Sequence, residues 1–316
     1  MSDIPTARPT ETAAERATRV FVDHRELLFS MVYNMLGTVA DTEDVLQETW
    51  LAWADRTGSP TGGTIEHPRA YLVRIAVNRA LARQAAISRR REEYVGPWLP
   101  EPLPIPPGDG PPPAEAADAA ETALRTESVS MALLVVLETL TPLERAVFVL
   151  HEVFGYPHTE IAGIVDRSPS AVRQLAHRAR EHVHARRPRY QADPRVRRQV
   201  TERFLAAVVG GDLGALLEVL APDVTLWADG GGKARAAGPH PVRGGEKIAR
   251  LITASSAHRP IPDLRVRHYT VGGEPAAVLM SGDTPYMFLT LDLTPEGDRV
   301  RDIYVVTNPD KLAHLR

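Results

Sequence analysis

The chain has 316 residues, a formal net charge of −3, 43% apolar and 24% charged residues and no cysteine. Its length predicts three domains and its apolar fraction excludes wholesale disorder, while the missing thiols exclude disulfides, thiolate-held zinc, iron–sulfur clusters and cysteine nucleophiles. The slightly acidic balance excludes a protein that coats nucleic acid by bulk charge, so DNA binding must be local or borrowed from a partner.

The N-terminus, MSDIPTARPTETAAER, has no apolar core of a signal peptide. No later run approaches the ~18 apolar residues of a membrane span, and the expectation is a soluble, cytoplasmic protein without a membrane partner. Residues 11–93 show apolar residues at helical spacing in FVDHRELLFSMVYNML and DVLQETWLAWADR, which predicts a helical domain. Prolines dominate the next stretch, GPWLPEPLPIPPGDGPPP, so 94–120 reads as an extended, polyproline-like linker rather than a packed element. A second helical block follows over 121–187. The region 194–316 opens with a helical stretch and continues in short β-rich runs, VTLWA, LRVRHYT, AAVLMSG, YMFLTLDLT and RVRDIYVVT, which predicts an α+β domain.

The segment HTEIAGIVDRSPSAVRQLAHRAREHV splits into two helices around a short turn. Ser168 is placed to cap the second helix and Pro169 fits its first turn. Val172, Leu175, Ala179 and Val183 share one face of that helix. Ser170, Arg173, Gln174, His177, Arg178 and Arg180 lie largely off it. This is the helix-turn-helix pattern, whose second helix enters a major groove. The plain alternative is a helical hairpin with a solvated charged face. Asp166 stands where such turns often carry glycine, and aspartate tolerates the left-handed backbone better than most residues.

TPLERAVFVLHEVFGYPHTEIAGIVDRSPSAVRQLAHRAR closely resembles region 4 of the extracytoplasmic-function sigma factors. The resemblance implies that Ser168, Ser170, Arg173, Gln174, His177, Arg178 and Arg180 read the minus-thirty-five promoter element, with the domain touching the polymerase flap. DTEDVLQETWLAWADR resembles region 2.2, which implies that Asp41, Asp44, Gln47 and Glu48 dock on the clamp coiled coil of core RNA polymerase. On its own, this segment also reads as an amphipathic helix whose first acids serve as caps. HPRAYLVRIAVNRALARQAAISRRR resembles regions 2.3 and 2.4, implying Arg69, Arg74, Asn78, Arg79 and Arg83 for the minus-ten strand, with the loop Ser59 to Thr64 at the rim of a base pocket. Family members often carry Trp at the position of Tyr71 and Asp at that of Ala82. A solvated basic helix is the alternative here.

The linker GPWLPEPLP, the loop DGGGK (Asp229, Gly230, Gly231, Gly232, Lys233) and NPDKL (Asn308, Pro309, Asp310, Lys311, Leu312) resemble those of a SigJ-like subgroup. The resemblance implies a multidomain chain: two all-α sigma domains, a region 2 bundle and a region 4 helix-turn-helix, followed by an α+β SnoaL/NTF2-like cone-shaped domain. It also implies regulation in cis by that domain, with Asp229, Lys233, Asn308 and Asp310 facing the sigma domains. GGGK lacks the spacing of a phosphate loop. Asp229, His240 and Asp283 are nominal acid–base candidates, but fold analogy alone does not license an enzyme. His151, His158, His177, His182 and His184 are too scattered for a metal set, and neither metal nor cofactor is expected. A small ligand in the C-terminal pocket stays open, as does a second reading, a helix-turn-helix regulator fused to a SnoaL-like enzyme or ligand sensor.

Overall fold

The structure is a computed structural model and describes residues 12–59, 65–103, 129–186, 193–234, 238–258 and 260–315. Most of the Ser59 to Thr64 loop and the linker beyond residue 103 lie outside the described residues.

Three helices form the first unit: α1 (Ala13–Leu36), α2 (Val39–Gly58) and α3 (Pro68–Glu92). A reciprocal cap between Thr12 and Glu15 starts α1, and Gly37 stops it with a left-handed φ of 73°. Leu28, Met31, Met35, Val45, Leu46, Trp53, Leu72, Val73 and Val77 fill the space between them. The second unit holds α4 (Met131–Leu137), α5 (Pro142–Phe148), which runs on as a π turn over Val149–Val153, α6 (His158–Val165) and α7 (Pro169–Arg186). Asp166 ends α6 with φ 54°, so aspartate does take the left-handed turn position here. The two units share one apolar core, in which α3 lies against α5 and α6.

The third unit begins with α8 (Pro194–Gly210) and α9 (Leu213–Val219). Strands β1 (Leu220–Asp229), β2 (Val242–Arg243), β3 (Leu264–Val271), β4 (Glu274–Ser281), β5 (Thr284–Leu293) and β6 (Val300–Val306) form one sheet, with α10 (Gly245–His258) between β2 and β3 and a short α11 (Pro309–Leu312) at the end. The strand order is β2-β1-β6-β5-β4-β3. The sheet is therefore open, with β2 and β3 at its edges. Only β1 and β6 pair in parallel, which sets Asp229 beside Val306 and brings DGGGK next to NPDKL.

Alternation along the strands gives the sheet two apolar faces. One packs Ala277, Leu279, Leu289, Leu291, Ile303 and Val305 on Phe204, Leu216 and Ile248 of the helices. The other packs Val278, Met280, Phe288, Tyr304 and Val306 against Leu99 of the linker and Met131 and Ala132 of α4. The linker, expected as a free connector, is extended but packed over 94–103. Leu99 is 1% exposed, because a Trp-Leu pair among prolines supplies apolar surface that the sheet buries.

Candidate polymerase, promoter and linker-docking sites

On α2, Asp44 and Gln47 are exposed and Glu48 is half-buried, forming an open acidic face one turn long. Asp41 points the other way, its side chain 4% exposed. It accepts from the Thr38 hydroxyl at 2.6 Å, from Arg83 Nε at 2.9 Å and from Arg90 Nη2 at 2.6 Å. Burial opposes its ionisation, but the Thr38 hydroxyl and the two guanidiniums outweigh burial and hold the carboxyl below its usual range. Asp41 therefore ties α2 to α3, and of the four candidates only Asp44, Gln47 and Glu48 face outward. Leu51, 65% exposed on the same helix, was not singled out in the sequence.

The α3 candidates divide between its flanks. Arg83 pairs with Asp41 and Asp44 and lies 3.7 Å from Glu48, and Arg79 reaches Glu48 at 3.3 Å, so both lean on α2. Asn78 donates to the Ile164 carbonyl of α6 at 3.0 Å, and the Arg69 guanidinium lies over the Tyr156 ring. Arg74 is exposed. The helix thus does not offer its five candidates as one free face: the helix-turn-helix unit covers part of it.

On α7, Ser168 caps as expected, its Oγ accepting from Ala171 N at 3.2 Å. Ser170, Arg173, Gln174 and His177 are exposed. The two flanking arginines are already engaged: Arg178 Nε with Glu144 at 2.9 Å, and Arg180 Nη2 with Glu152 at 2.6 Å. Arg167, exposed in the turn, also adjoins this surface and was not singled out.

DGGGK and NPDKL meet around the linker. Asp229 is fully buried and accepts from the Tyr94 hydroxyl, from Leu99 N at 2.8 Å and from Lys311 Nζ at 2.8 Å. Lys311, also buried, donates to the Leu99 carbonyl at 2.5 Å and lies 3.7 Å from the Trp98 ring centre. Burial pushes the Lys311 ammonium down, and Asp229 pulls it back up. Asn308 donates to the Tyr94 hydroxyl at 2.7 Å, and its Oδ1 accepts from Asp310 N, which caps α11 behind Pro309.

The glycines make room for these contacts. Gly231 and Gly232 have φ of 58° and 70°, and a Cβ on Gly231 would stand 2.4 Å from Asn308 Nδ2. Gly230 turns the chain, its carbonyl accepting from Lys233 N at 2.9 Å. Lys233 and Asp310 form an exposed ion pair on the rim. Tyr94, Trp98 and Leu99 are the partners that sequence reasoning missed. The signal was present in the aromatic residues of an otherwise proline-rich stretch.

The other nominal groups do not converge. Asp229 is sealed under the linker, His240 is exposed, and Asp283 is exposed in a β turn near Arg265. No group of three or more His, Asp or Glu side chains that could hold a metal occurs among the described residues. Nor, among them, is any helix long and apolar enough to cross a membrane.

The comparisons match these units one by one. Residues 20–91 match the family model "Sigma-70 region 2", 130–183 match "Sigma-70, region 4" and 201–310 match "SnoaL-like domain". The chain is 41% identical over 229 residues to the ECF RNA polymerase sigma factor SigJ of Mycobacterium tuberculosis, covering 72% of this chain and 69% of the relative. It is 31% identical over 295 residues to the probable ECF RNA polymerase sigma factor SigI of that organism, covering 93% of each. The crystal structure of M. tuberculosis SigJ superposes with a TM-score of 0.70 at 31% identity, covering 94% of this chain and 98% of that one. Two helical sigma regions followed by an α+β SnoaL-like domain, in this order and at this identity, place the chain in the extracytoplasmic-function sigma factor family, where it serves transcription initiation.

Proposed function

We propose that the outward-facing Asp44, Gln47 and Glu48 of α2, two acids and an amide, dock on the clamp coiled coil of core RNA polymerase. In this reading α3 holds the minus-ten strand, α7 reads the minus-thirty-five element, and the SnoaL-like domain governs both in cis without catalysis. The carrying observation is the sealed joint of Asp229, Lys311, Tyr94 and Leu99, which fixes the linker between the sigma units to the third domain. A linker held this way limits how far the two sigma units separate.

Geometry supports the need for release. The two promoter elements lie about 25 base pairs apart, roughly 85 Å along B-DNA. Here α3 touches α6 directly, through Asn78 and the Ile164 carbonyl, so the described arrangement is a resting state. Non-catalytic action is supported by the dispersal of Asp229, His240 and Asp283 and by the apolar filling between the sheet and its helices. The β1–β6, β4–β5 and β5–β6 pairs each carry a register shift, and irregularities of this kind let a strand bend, which supports the cone-like shape expected of the fold.

Run-off transcription with core polymerase tests the reading, using full-length chain, the Asp229→Ala/Lys311→Met variant and a chain ending at Arg186. The variants are expected to change promoter output at equal protein level. Identical output from all three would remove the regulatory role. No promoter-dependent product from any of them would remove the residue assignments.

A further inference from the structure

Where the two helical units meet, α6 and the turn before it lie along α3. Glu160 and Ile164, four residues apart, share one face of α6, and Tyr156 stands just ahead of its first turn. On the other side Arg69 belongs to the first turn of α3, and Asn78 follows roughly two and a half turns further on.

The Arg69 guanidinium lies 5.9 Å from the centre of the Tyr156 ring. The Asn78 amide nitrogen donates at 2.8 Å to the Arg74 carbonyl of its own helix and at 3.0 Å to the Ile164 carbonyl of α6. Beside Arg69 and Tyr156 opens a cleft of about 620 Å³, floored by Phe154 and Pro68. Glu160 of region 4 borders it together with Asp23 and Glu66 of the first unit, so region 4 completes a ring of carboxylates that a phosphate backbone avoids.

An unstacked nucleotide presents a planar π face and carbonyl acceptors on the edge of its base. Guanidinium planes stack on the first, and amide N–H groups donate to the second. Region 4 offers the same two groups to the same kinds of side chain: an aromatic ring to Arg69 and a main-chain carbonyl to Asn78. Arg79 and Arg83 already lean on the acids of α2, so of the five α3 candidates Arg74 alone keeps its side chain without a partner among the described residues.

We infer that Tyr156 and the Ile164 carbonyl imitate an unstacked strand, so that region 4 and single-stranded DNA compete for Arg69 and Asn78. The apolar core that the two units share holds them together. The mimic decides what Arg69 and Asn78 meet while they are together. Arg69 is exposed and borders the cleft, so loss of the ring frees it for a base with that core intact. The inference rests on the reading of α3 as the strand-holding helix.

Equilibrium binding of a dye-labelled single-stranded oligothymidine to the full chain, followed by fluorescence anisotropy at fixed salt, tests the mimic. Tyr156→Leu keeps an apolar side chain but removes the ring, and is expected to tighten binding about two- to fivefold, the weight of a partly exposed cation–π contact. Tyr156→Phe keeps the ring and is expected to stay as masked as wild type. Glu160→Gln, at an exposed position where folding is not at stake, is expected to tighten binding at low salt and less at high salt. Adding Arg69→Ala should abolish the gain in both the leucine and the glutamine chains.

That pattern supports the mimic. Equal gains from leucine and phenylalanine would trace the effect to packing and not to the ring, and would overturn it. A gain that survives Arg69→Ala, or no gain from either Tyr156→Leu or Glu160→Gln, would overturn it as well. The α3 reading is checked apart from this by run-off transcription, where Arg69→Ala/Asn78→Ala should lower promoter output. Undiminished output removes that reading and the mimic together, whereas lowered output with a failed leucine series removes the mimic alone.

Discussion

At the scale of single residues, the linker joint concentrates its risk in Lys311 and Gly231. Lys311→Met strands the Asp229 carboxylate without its cation, 0% exposed, and is expected to cost about 3–5 kcal/mol in chemical denaturation. Gly231→Ala keeps every charge but drives a Cβ into Asn308 at a left-handed φ. It is expected to undock Trp98, read as a rise in quenching of tryptophan emission by a soluble quencher. The motifs DGGGK and NPDKL were legible in the sequence as a pair. That Lys311 rather than Lys233 completes the buried cluster was not, because it depends on which side of a four-residue helix meets the linker. Asp41 shows the same limit: an acid beside a helix start is visible in a sequence, but its capture by Thr38, Arg83 and Arg90 is a property of the packed bundle.

At the scale of elements, the helix-turn-helix contains a titratable contact. The rings of His151 on the π turn and His158 at the start of α6 lie 4.1 Å apart. Burial, then the charges of His151, Arg173 and Arg180, push the His158 imidazole below its usual range, and Glu152 opposes them only in part. A base whose folded pKa is depressed binds its proton more readily when unfolded. The stability is therefore full above about 6.5, the ordinary histidine value, and falls as the pH drops from there toward the folded value. Thermal melts of the full chain at pH 7.5 and near pH 5.5 should show this loss in wild type and a smaller one in His158→Gln. On α2, reversing Asp44 and Glu48 to lysine should weaken core polymerase binding by at least about tenfold. Circular dichroism should remain unchanged, because their partners Arg79 and Arg83 are partly solvated. Elements set by local signals were legible: the Ser168–Pro169 start of α7, the periodicity of α1 and α2, and the alternation of the strands. The parallel β1–β6 pair was not, since its paired residues lie 77 to 80 positions apart and nothing local specifies their register.

At the scale of the whole molecule, the three-part order was legible from composition and motifs, and the closed arrangement was not. Proline-rich composition sets the extended backbone of the linker, while its docking depends on a sheet face made more than 100 residues later. Free chain should bind promoter duplex weakly and holoenzyme strongly in mobility-shift titrations at matched salt. In the free chain Arg178 and Arg180 are engaged by Glu144 and Glu152, and Asn78 faces the region 4 unit. Strong specific binding by the free chain would contradict this. The parallel pairing of β1 with the last strand also has a consequence in time. The socket for the linker needs Asp229 from β1 together with Asn308 and Lys311 at the far end of the chain. A ribosome adding about 5–20 residues per second takes on the order of ten seconds to travel from the end of α7 to Lys311. During that interval both sigma units have been made and their restraint has not, so each newborn chain passes through a brief unsupervised period whose length is set by translation speed.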